Sequence, residues 1–357
     1  AEVSAEADRL IAAGNTVDAL RQAESRLMGK RGALGELLTS DAVTVRLRAA
    51  ENARLLAAAG PARTPLLDLA RKGKTPSVRA AALAAMARLD LPAVEDLLAP
   101  AAGSDSPWLR RSAVRAYQYA GRDGEVAKLL ADPSPMVRMA AIRAAGELGS
   151  PRCTPGVFRL LVGAVDEQSH QAARVALRRI GGDTVAKQAG RFVNGNRERL
   201  KKLNDVFGPS AEKLSDEQRA RMARDLRRAR RNVTSACWLL GELASPLALD
   251  TMKAFCSELP VDSPVLVEVC LALKKIDDPS AGQTLGTLLR VAAKNGKIYI
   301  AAVASNRPPP VPFSEPVLAA AIEACAHFRV PGTVRETLAV IRYKRGRGMR
   351  MLQAAAH

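Results

Sequence analysis

The stretch PMVRMAAIRAAGELG at Pro135–Gly149 decides the fold of this chain, because its pattern returns along the sequence. With Arg138 as an anchor, small or apolar residues follow at plus three, four, seven and ten, and the pattern stops near plus eleven. Seven further stretches fit this frame, mostly 28–33 residues apart, and their anchors are Arg46, Arg79, Arg110, His170, Val233, Leu266 and Leu318. Such a period is typical of a solenoid of repeats.

The composition favours paired helices over strands. Hydrophobic residues make up 48% of the chain but aromatic residues only 3%, whereas strand-rich folds use more aromatic and β-branched residues. Each repeat is predicted to hold two helices, with the recurrent frame and its buried stripe on the second. A turn such as Asp132–Pro135 joins them, and proline suits it because proline ends one helix and starts the next.

The segment DPSPMVR at Asp132–Arg138 resembles the Asp-Pro-x-x-x-Val-Arg consensus of HEAT repeats, particularly the short bacterial class also found in phycobilin lyases. The resemblance covers roughly residues 35–342. It implies an all-α fold, a right-handed α-α superhelix of about 8–10 helix pairs whose second helices line the inner face. In the family this Asp and Arg form a ladder between repeats, which implies structural roles for Asp132, Arg138, Arg110 and Arg79.

The frame divides the chain into five segments. Residues 1–34 are predicted to be an N-terminal capping helical hairpin, 35–186 regular HEAT-like repeats, 187–232 a degenerate repeat with a basic helix, 233–342 C-terminal HEAT-like repeats with a proline-rich insertion at 307–312, and 343–357 a basic flexible tail. The gap of 63 residues between His170 and Val233 is close to two periods. We therefore expect two helices there, at Val185–Phe192 and Glu198–Phe207.

Positive charge is concentrated in two segments of a chain whose formal net charge is +18. Residues 191–231 hold thirteen Lys/Arg and six Asp/Glu, a net +7, and residues 329–350 hold seven and one, a net +6. Concentrated cationic charge indicates binding of polyanions or acidic partners, whereas diffuse charge indicates solubility. The tail candidates within the second segment are Lys344, Arg345 and Arg347.

The most distinctive basic segment is Ser215–Asn232, which begins with capping-box spacing at Ser215 and Gln218. Its arginines fan across roughly 200° of a helix, opposite an apolar stripe. The predicted binding residues are Arg219, Arg224, Arg227, Arg228 and Arg231, and the alternative is a solvated helix face. A second predicted cationic stripe follows the inner face of the second helices and includes Arg111, Arg115, Arg143, Arg178 and Arg179, with Lys274 and Lys275 further along. Trp108 is expected to pack at a turn.

Signals for catalysis are weak. The sequence contains no Walker phosphate loop, no GxGxxG after a strand and no HExxH, and its three histidines have no sequence neighbour that suggests a nucleophile or metal partner. The five cysteines form no CxxC pair and are predicted to be buried hydrophobes. We expect no catalytic residue, metal or small-molecule cofactor. The absence of an apolar run near 18 residues predicts no membrane span.

The sequence thus predicts a non-catalytic scaffold that binds an acidic protein surface through a cationic face. Two alternatives stay open: a sequence-nonspecific binder of nucleic-acid backbone, and a HEAT-like enzyme such as a DNA glycosylase or lyase. A cytoplasmic location is expected, with a secreted or periplasmic protein after signal removal as the alternative.

Overall fold

The computed structural model describes Arg9 and residues 33–53, 63–164, 166–206, 215–305 and 314–333. These residues contain sixteen α-helices, two short 3-10 helices and no strand. The α-helices are α1 Ala33–Leu38, α2 Val43–Ala53, α3 Arg63–Lys72, α4 Pro76–Leu89, α5 Glu95–Ala102, α6 Pro107–Tyr119, α7 Asp123–Leu129, α8 Pro135–Leu148, α9 Thr154–Gly163, α10 Glu167–Ile180, α11 Gly182–Val206, α12 Asp216–Glu242, α13 Leu249–Glu258, α14 Pro264–Ile276, α15 Ala281–Ala304 and α16 Glu315–His327.

The helices alternate between two layers. Each odd-numbered helix packs against the even-numbered helix that follows it. The even-numbered helices also stack on one another in chain order, from α2 to α10 and from α12 to α16. The described helices form two compact units, α1–α10 and α11–α16, which divide between Ile180 and Gly181. Each unit is an all-α helical repeat solenoid, as predicted, and together the described residues hold eight helix pairs.

The buried stripe of the second helices follows the predicted frame. In α8, the residues at plus three, four and seven are Ala141, Ile142 and Ala145, and all three are buried. The same three positions are buried in α2, α4, α6, α12, α14 and α16. In α10 the residues at plus three and plus seven are buried, and Arg174 at plus four is half-buried. The residue at plus ten is half-buried in most copies. The period of the sequence therefore marks the core correctly, because helix residues three and four apart share a face.

The turns before the second helices show why proline recurs there. The N-cap residues of α8, α6 and α14 are Ser134, Ser106 and Ser263, and all three have an extended backbone. Proline occupies the first turn of each helix. Proline is suited to this position because its missing N–H has no partner inside the helix and its φ is already helical. α8 ends at Gly149, whose φ of 62° is the left-handed conformation that glycine adopts without strain.

The degenerate repeat predicted at 187–232 is not a short helix pair. The predicted helices Val185–Phe192 and Glu198–Phe207 are, as far as Val206, one continuous helix, α11. The predicted boundary between 232 and 233 lies inside α12. Two polar contacts support the interior of α11: the side-chain amide of Asn196 donates to the carbonyl of Phe192 at 2.8 Å, and the Thr251 hydroxyl donates to Asn194 at 2.6 Å. Long helices, rather than an extra repeat, explain the 63-residue spacing.

Several predicted segments lie outside the described residues. They are most of the capping hairpin at 1–34, the proline-rich insertion at 307–312 and the tail at 343–357, which includes Lys344, Arg345 and Arg347. None of the helices in the described part of the chain is long and apolar enough to cross a membrane.

Candidate functional site

The N-terminal half of α12 presents the predicted arginine surface. The helix has 27 residues, about twice the length of the 11–14-residue second helices α2, α4, α6, α8, α10, α14 and α16. It begins with the predicted capping box, in which the Ser215 hydroxyl accepts from the Gln218 N–H and the Gln218 side chain accepts from the Ser215 N–H. Asp216 and Glu217 occupy the first turn, where carboxylates are favoured by the helix dipole.

The two sides of this half-helix differ as the sequence indicates. On the apolar side, Leu226 and Val233 are buried, and Met222 and Ala229 are half-buried. The other side carries the predicted binding residues Arg219, Arg224, Arg227 and Arg228, which are exposed, and Arg231, which is half-buried. We call Arg219, Arg221, Arg224, Arg227 and Arg228 the α12 arginine surface.

The arginines of α12 have different polar environments. Arg230 is half-buried and hydrogen-bonds Asn204 of α11, and its burial lowers the pKa of its guanidinium, so this arginine belongs to the packing of α11 on α12. Arg219, Arg228 and Arg231 each have an intramolecular interaction. Arg224 and Arg227 have no hydrogen-bond or ion-pair partner among the described residues. These two cations are therefore open to an external anion.

Among the described residues, the predicted ladder contains one side-chain rung between neighbouring repeats. Arg110 donates from Nε to one carboxylate oxygen of Asp132 at 2.7 Å and from Nη2 to the other at 3.0 Å. Its Nη1 donates to the carbonyls of Ser104 and Asp105 in its own turn. This bidentate geometry is the strong form of an Arg–carboxylate pair.

The other predicted ladder arginines lack a carboxylate partner from the next repeat among the described residues. Arg138 donates from Nη1 to the carbonyls of Asp132 and Pro133, both at 2.8 Å. It therefore stabilises the turn that precedes its own helix. The Nε of Arg79 is buried without a hydrogen-bond partner in this part of the chain. Arg110 pairs with Asp132, which lies six places before the next anchor. The corresponding residue is Ser104 for Arg79 and Ala164 for Arg138. The ladder is limited because only one repeat supplies the carboxylate.

The predicted cationic stripe shares one face of the second helices but is not uniformly available. Relative to their anchors, its arginines fall within an arc of about 100°. Arg111 and Arg115 are half-buried, and Arg143, Arg178 and Arg179 are exposed. In the second unit, Lys274 pairs with Glu323 at 2.8 Å and Lys275 pairs with Glu242. Internal carboxylates therefore neutralise these two lysines, which sequence spacing placed in the stripe.

Trp108 is the residue whose position the sequence prediction missed. It was expected to pack at a turn, but 49% of its surface is exposed, and its ring lies 5.9 Å from the guanidinium carbon of Arg111. A helical wheel predicts this exposure. The position two places before the anchor lies on the same solvent-facing side of the helix as the positions one and five places after it. Trp108 therefore lies on the same solvent-facing side of the second helices as the predicted cationic stripe.

No group of three or more His, Cys, Asp or Glu in the described segments is placed to hold a metal ion. All five cysteines are buried free thiols, and burial raises the pKa of Cys153 to about 11 and that of Cys325 to about 12, so they are protonated and unreactive at neutral pH.

The structure brings one histidine next to a carboxylate. Nε2 of His327 lies 2.7 Å from Oδ1 of Asp277, although the two residues are 50 positions apart. Both lie where second helices of neighbouring repeats end. No hydroxyl or thiol of the described residues hydrogen-bonds the His327 ring, so this pair has no nucleophile to activate.

Comparison with known proteins gives no family. No family model matches the chain, and no curated protein matches its sequence. Among solved structures, Kap121p bound to RanGTP is similar with a TM-score of 0.47 and 13% identity, over 99% of this chain and 48% of that one. The chain thus spans about half the length of that structure.

A second similar chain belongs to a structure described as "A conserved phosphorylation switch controls the interaction between cadherin and beta-catenin in vitro and in vivo". Its TM-score is 0.32 and its identity 14%, over 96% of this chain and 92% of that one.

Proposed function

We propose that this chain is a non-catalytic binding scaffold of HEAT-like repeats, and that the α12 arginine surface engages an acidic surface of a protein partner. The observation that carries the proposal is the pair Arg224 and Arg227, which are exposed and have no carboxylate partner among the described residues. Long side chains that are held on a rigid helix and not internally neutralised attract anions and steer their encounter.

The charges of the neighbouring second helices favour a local acidic patch over an extended phosphate backbone. Glu268 of α14 and Glu323 of α16 lie on the helices that follow α12 in the stack. Glu323 is paired with Lys274, and Lys275 of α14 is paired with Glu242, so a nucleic-acid backbone laid across these helices would gain no unpaired lysine there. A protein partner can place its acidic residues against α12 alone.

Two further features agree with this assignment. The five cysteines are free and buried, which is typical of proteins in a reducing compartment, and we propose a cytoplasmic location. The raised pKa values of the buried thiols and the absence of a nucleophile at His327 among the described residues support a binding role rather than a catalytic one.

The proposal is tested by reversing three charges in α12. We expect the triple variant Arg221→Glu, Arg224→Glu and Arg227→Glu to weaken binding of fluorescein-labelled poly-L-glutamate by about tenfold or more at physiological salt. The helix should remain folded, because glutamate is as good a helix former as arginine. Fluorescence anisotropy gives the affinity, and circular dichroism checks the helix content.

The matched control carries the same change of net charge elsewhere. Lys72, Lys74 and Arg159 are exposed cations outside both predicted basic surfaces, and their triple replacement by Glu should leave poly-L-glutamate binding within about twofold of wild type. Equal losses in both triple variants would mean that only overall charge matters, and the proposal would be wrong.

A generic DNA duplex separates the protein partner from the nucleic-acid alternative. If the duplex binds more tightly than poly-L-glutamate, and the α12 variant flattens its salt slope by about three units, phosphate binding is the function of this surface. We expect instead that the duplex is the weaker ligand and that its slope is similar in both triple variants.

A further inference from the structure

A groove on the first unit has features that neither the repeat frame nor the α12 surface explains. Its volume is about 570 Å³, and it lies across the outward faces of α2, α4 and α6. The middle helix supplies the floor with four small residues, Ser77, Ala80, Ala81 and Ala84. The larger lining side chains stand on the flanking helices and include Arg48, Glu51, Trp108, Arg111 and Arg115.

The dimensions of the groove suit a helix. Packed helices lie about 8–10 Å apart, so the axes of α2 and α6 are separated by about 16–20 Å across α4. Because α4 has no large outward side chain in the groove, the space above it is open between two walls. An α-helix that lies along α4 can pack onto this floor of small residues at the usual 8–10 Å between axes, with the side chains of α2 and α6 on either side of it.

The chemistry of the groove is asymmetric. On the α2 side, Arg48 pairs with Glu51 at 3.4 Å, so the positive and negative charges of that wall offset each other. On the α6 side, Arg111 has contacts to the Trp108 ring and the Met136 sulfur but no carboxylate partner among the described residues. The lining carries three arginines and one glutamate, which leaves it cationic.

We infer that this groove binds an amphipathic helix of a protein partner, with a stripe of apolar side chains on the alanine floor and carboxylates facing Arg111. Tryptophan and arginine at the edge of an apolar depression are the residue types that carry most binding energy in protein interfaces. A helix seated in a hydrophobic groove is recognised through apolar anchors at i, i+3 or i+4, and i+7. This site is in the first unit and does not depend on the α12 arginine surface.

The test is a selection of displayed peptides. A phage library of random peptides of about 15 residues, four helical turns, is selected on the wild-type protein. Counter-selection uses the Ala81→Arg variant, which fills the groove from a half-exposed position and leaves the core intact. Enriched peptides should show the helical apolar spacing and excess Asp or Glu, and they should lose binding to Ala81→Arg.

Trp108 provides the second readout. We expect Trp108→Ala to weaken the enriched peptides by about tenfold or more, because a tryptophan that packs against the partner is among the residues that carry most of the binding energy of an interface. The matched control is Tyr119→Ala, which removes another exposed aromatic side chain of α6 outside the groove, and it should change nothing. In a Trp238→Phe background, peptide binding should shift the Trp108 emission to shorter wavelength.

Three results overturn the inference. The first is that no peptide is enriched above background, and the second is that enriched peptides bind Ala81→Arg and Trp108→Ala as well as wild type. The third is an oligothymidylate that binds more tightly than every enriched peptide and requires Trp108, which would assign the groove to single-stranded nucleic acid through base stacking. The α12 triple variant should retain the peptides, so this test is separate from that of the proposed function.

Discussion

Replacement of Asp132 by Ala is expected to lower the free energy of unfolding around α6 and α8 by about 3 kcal/mol. The Asp132 side chain is 3% exposed, and its two carboxylate oxygens accept hydrogen bonds from Nε and Nη2 of Arg110. Without it, the Arg110 guanidinium, which is 14% exposed, loses its counter-charge, and the Ser134 N–H loses its acceptor. Urea denaturation combined with hydrogen exchange of α6 and α8 measures the loss.

The control is the exposed pair between Lys128 and Glu125 of the same repeat, with 2.7 Å between its charged atoms and 73% and 40% of the side chains exposed. Its removal by Glu125→Ala should cost less than about 1 kcal/mol, because solvent screens such pairs. A double-mutant cycle of Arg110 and Asp132 should show strong coupling. If the two single losses add within about 0.5 kcal/mol, the rung does not act as a unit.

The same rung predicts a pH dependence. Burial of the Asp132 carboxylate disfavours its charge, but the hydrogen bonds from Arg110 and the Ser134 N–H outweigh burial, and the net pKa of Asp132 is lowered from its ordinary 3.8. A carboxyl group whose native pKa is lowered stabilises the fold fully above its unfolded pKa, and this contribution is lost as pH falls through the native value. The stability difference between wild type and Asp132→Ala should therefore be constant near neutral pH and shrink in acid below 3.8. A difference that grows in acid would contradict the assignment.

Gly146→Ala should destabilise the first unit by about 1–3 kcal/mol, although alanine is normally the better helix residue by about 0.5–1 kcal/mol. A Cβ at position 146 would lie 2.8 Å from the Cα and 3.1 Å from the Cβ of Ala176 in the next second helix. A backbone atom cannot rotate away, so α8 and α10 would have to separate. Gly241→Ala should behave alike in the second unit, because its Cβ would lie 2.8 Å from the Cα of Ala272.

Gly195→Ala is the matched control for both glycine variants. Gly195 lies in the interior of α11, and a Cβ there would meet no heavy atom within 4 Å. Alanine should therefore raise the stability at this position by about 0.5–1 kcal/mol. Thermal unfolding followed by circular dichroism compares the three variants. If Gly146→Ala also raises the melting temperature, the close approach of neighbouring second helices is not what requires glycine.

Gly146 and Gly241 show how much of the helix packing can be predicted from the sequence. The motif Gly-Glu-Leu-Gly-Ser-Pro at 146–151 recurs at 241–246 with one change, so its place in the repeat is visible from the sequence alone. The reason why glycine is needed at this place is not visible from the sequence, because the alanines against which the glycines pack lie 30 and 31 residues further along the chain. The same holds for Lys274 and Glu323, whose pairing removes one lysine from the predicted stripe.

The sequence by itself determined the helical class, the two-helix repeat and the buried face of each second helix. These features follow from spacings of three and four residues and from proline at the turns, which are local properties of the chain. The tertiary structure decided the length of α11 and α12 and the neutralisation of particular cations. Each of these depends on which repeats meet in space, because packing between distant residues overrides local propensity and sets the surroundings of every charge.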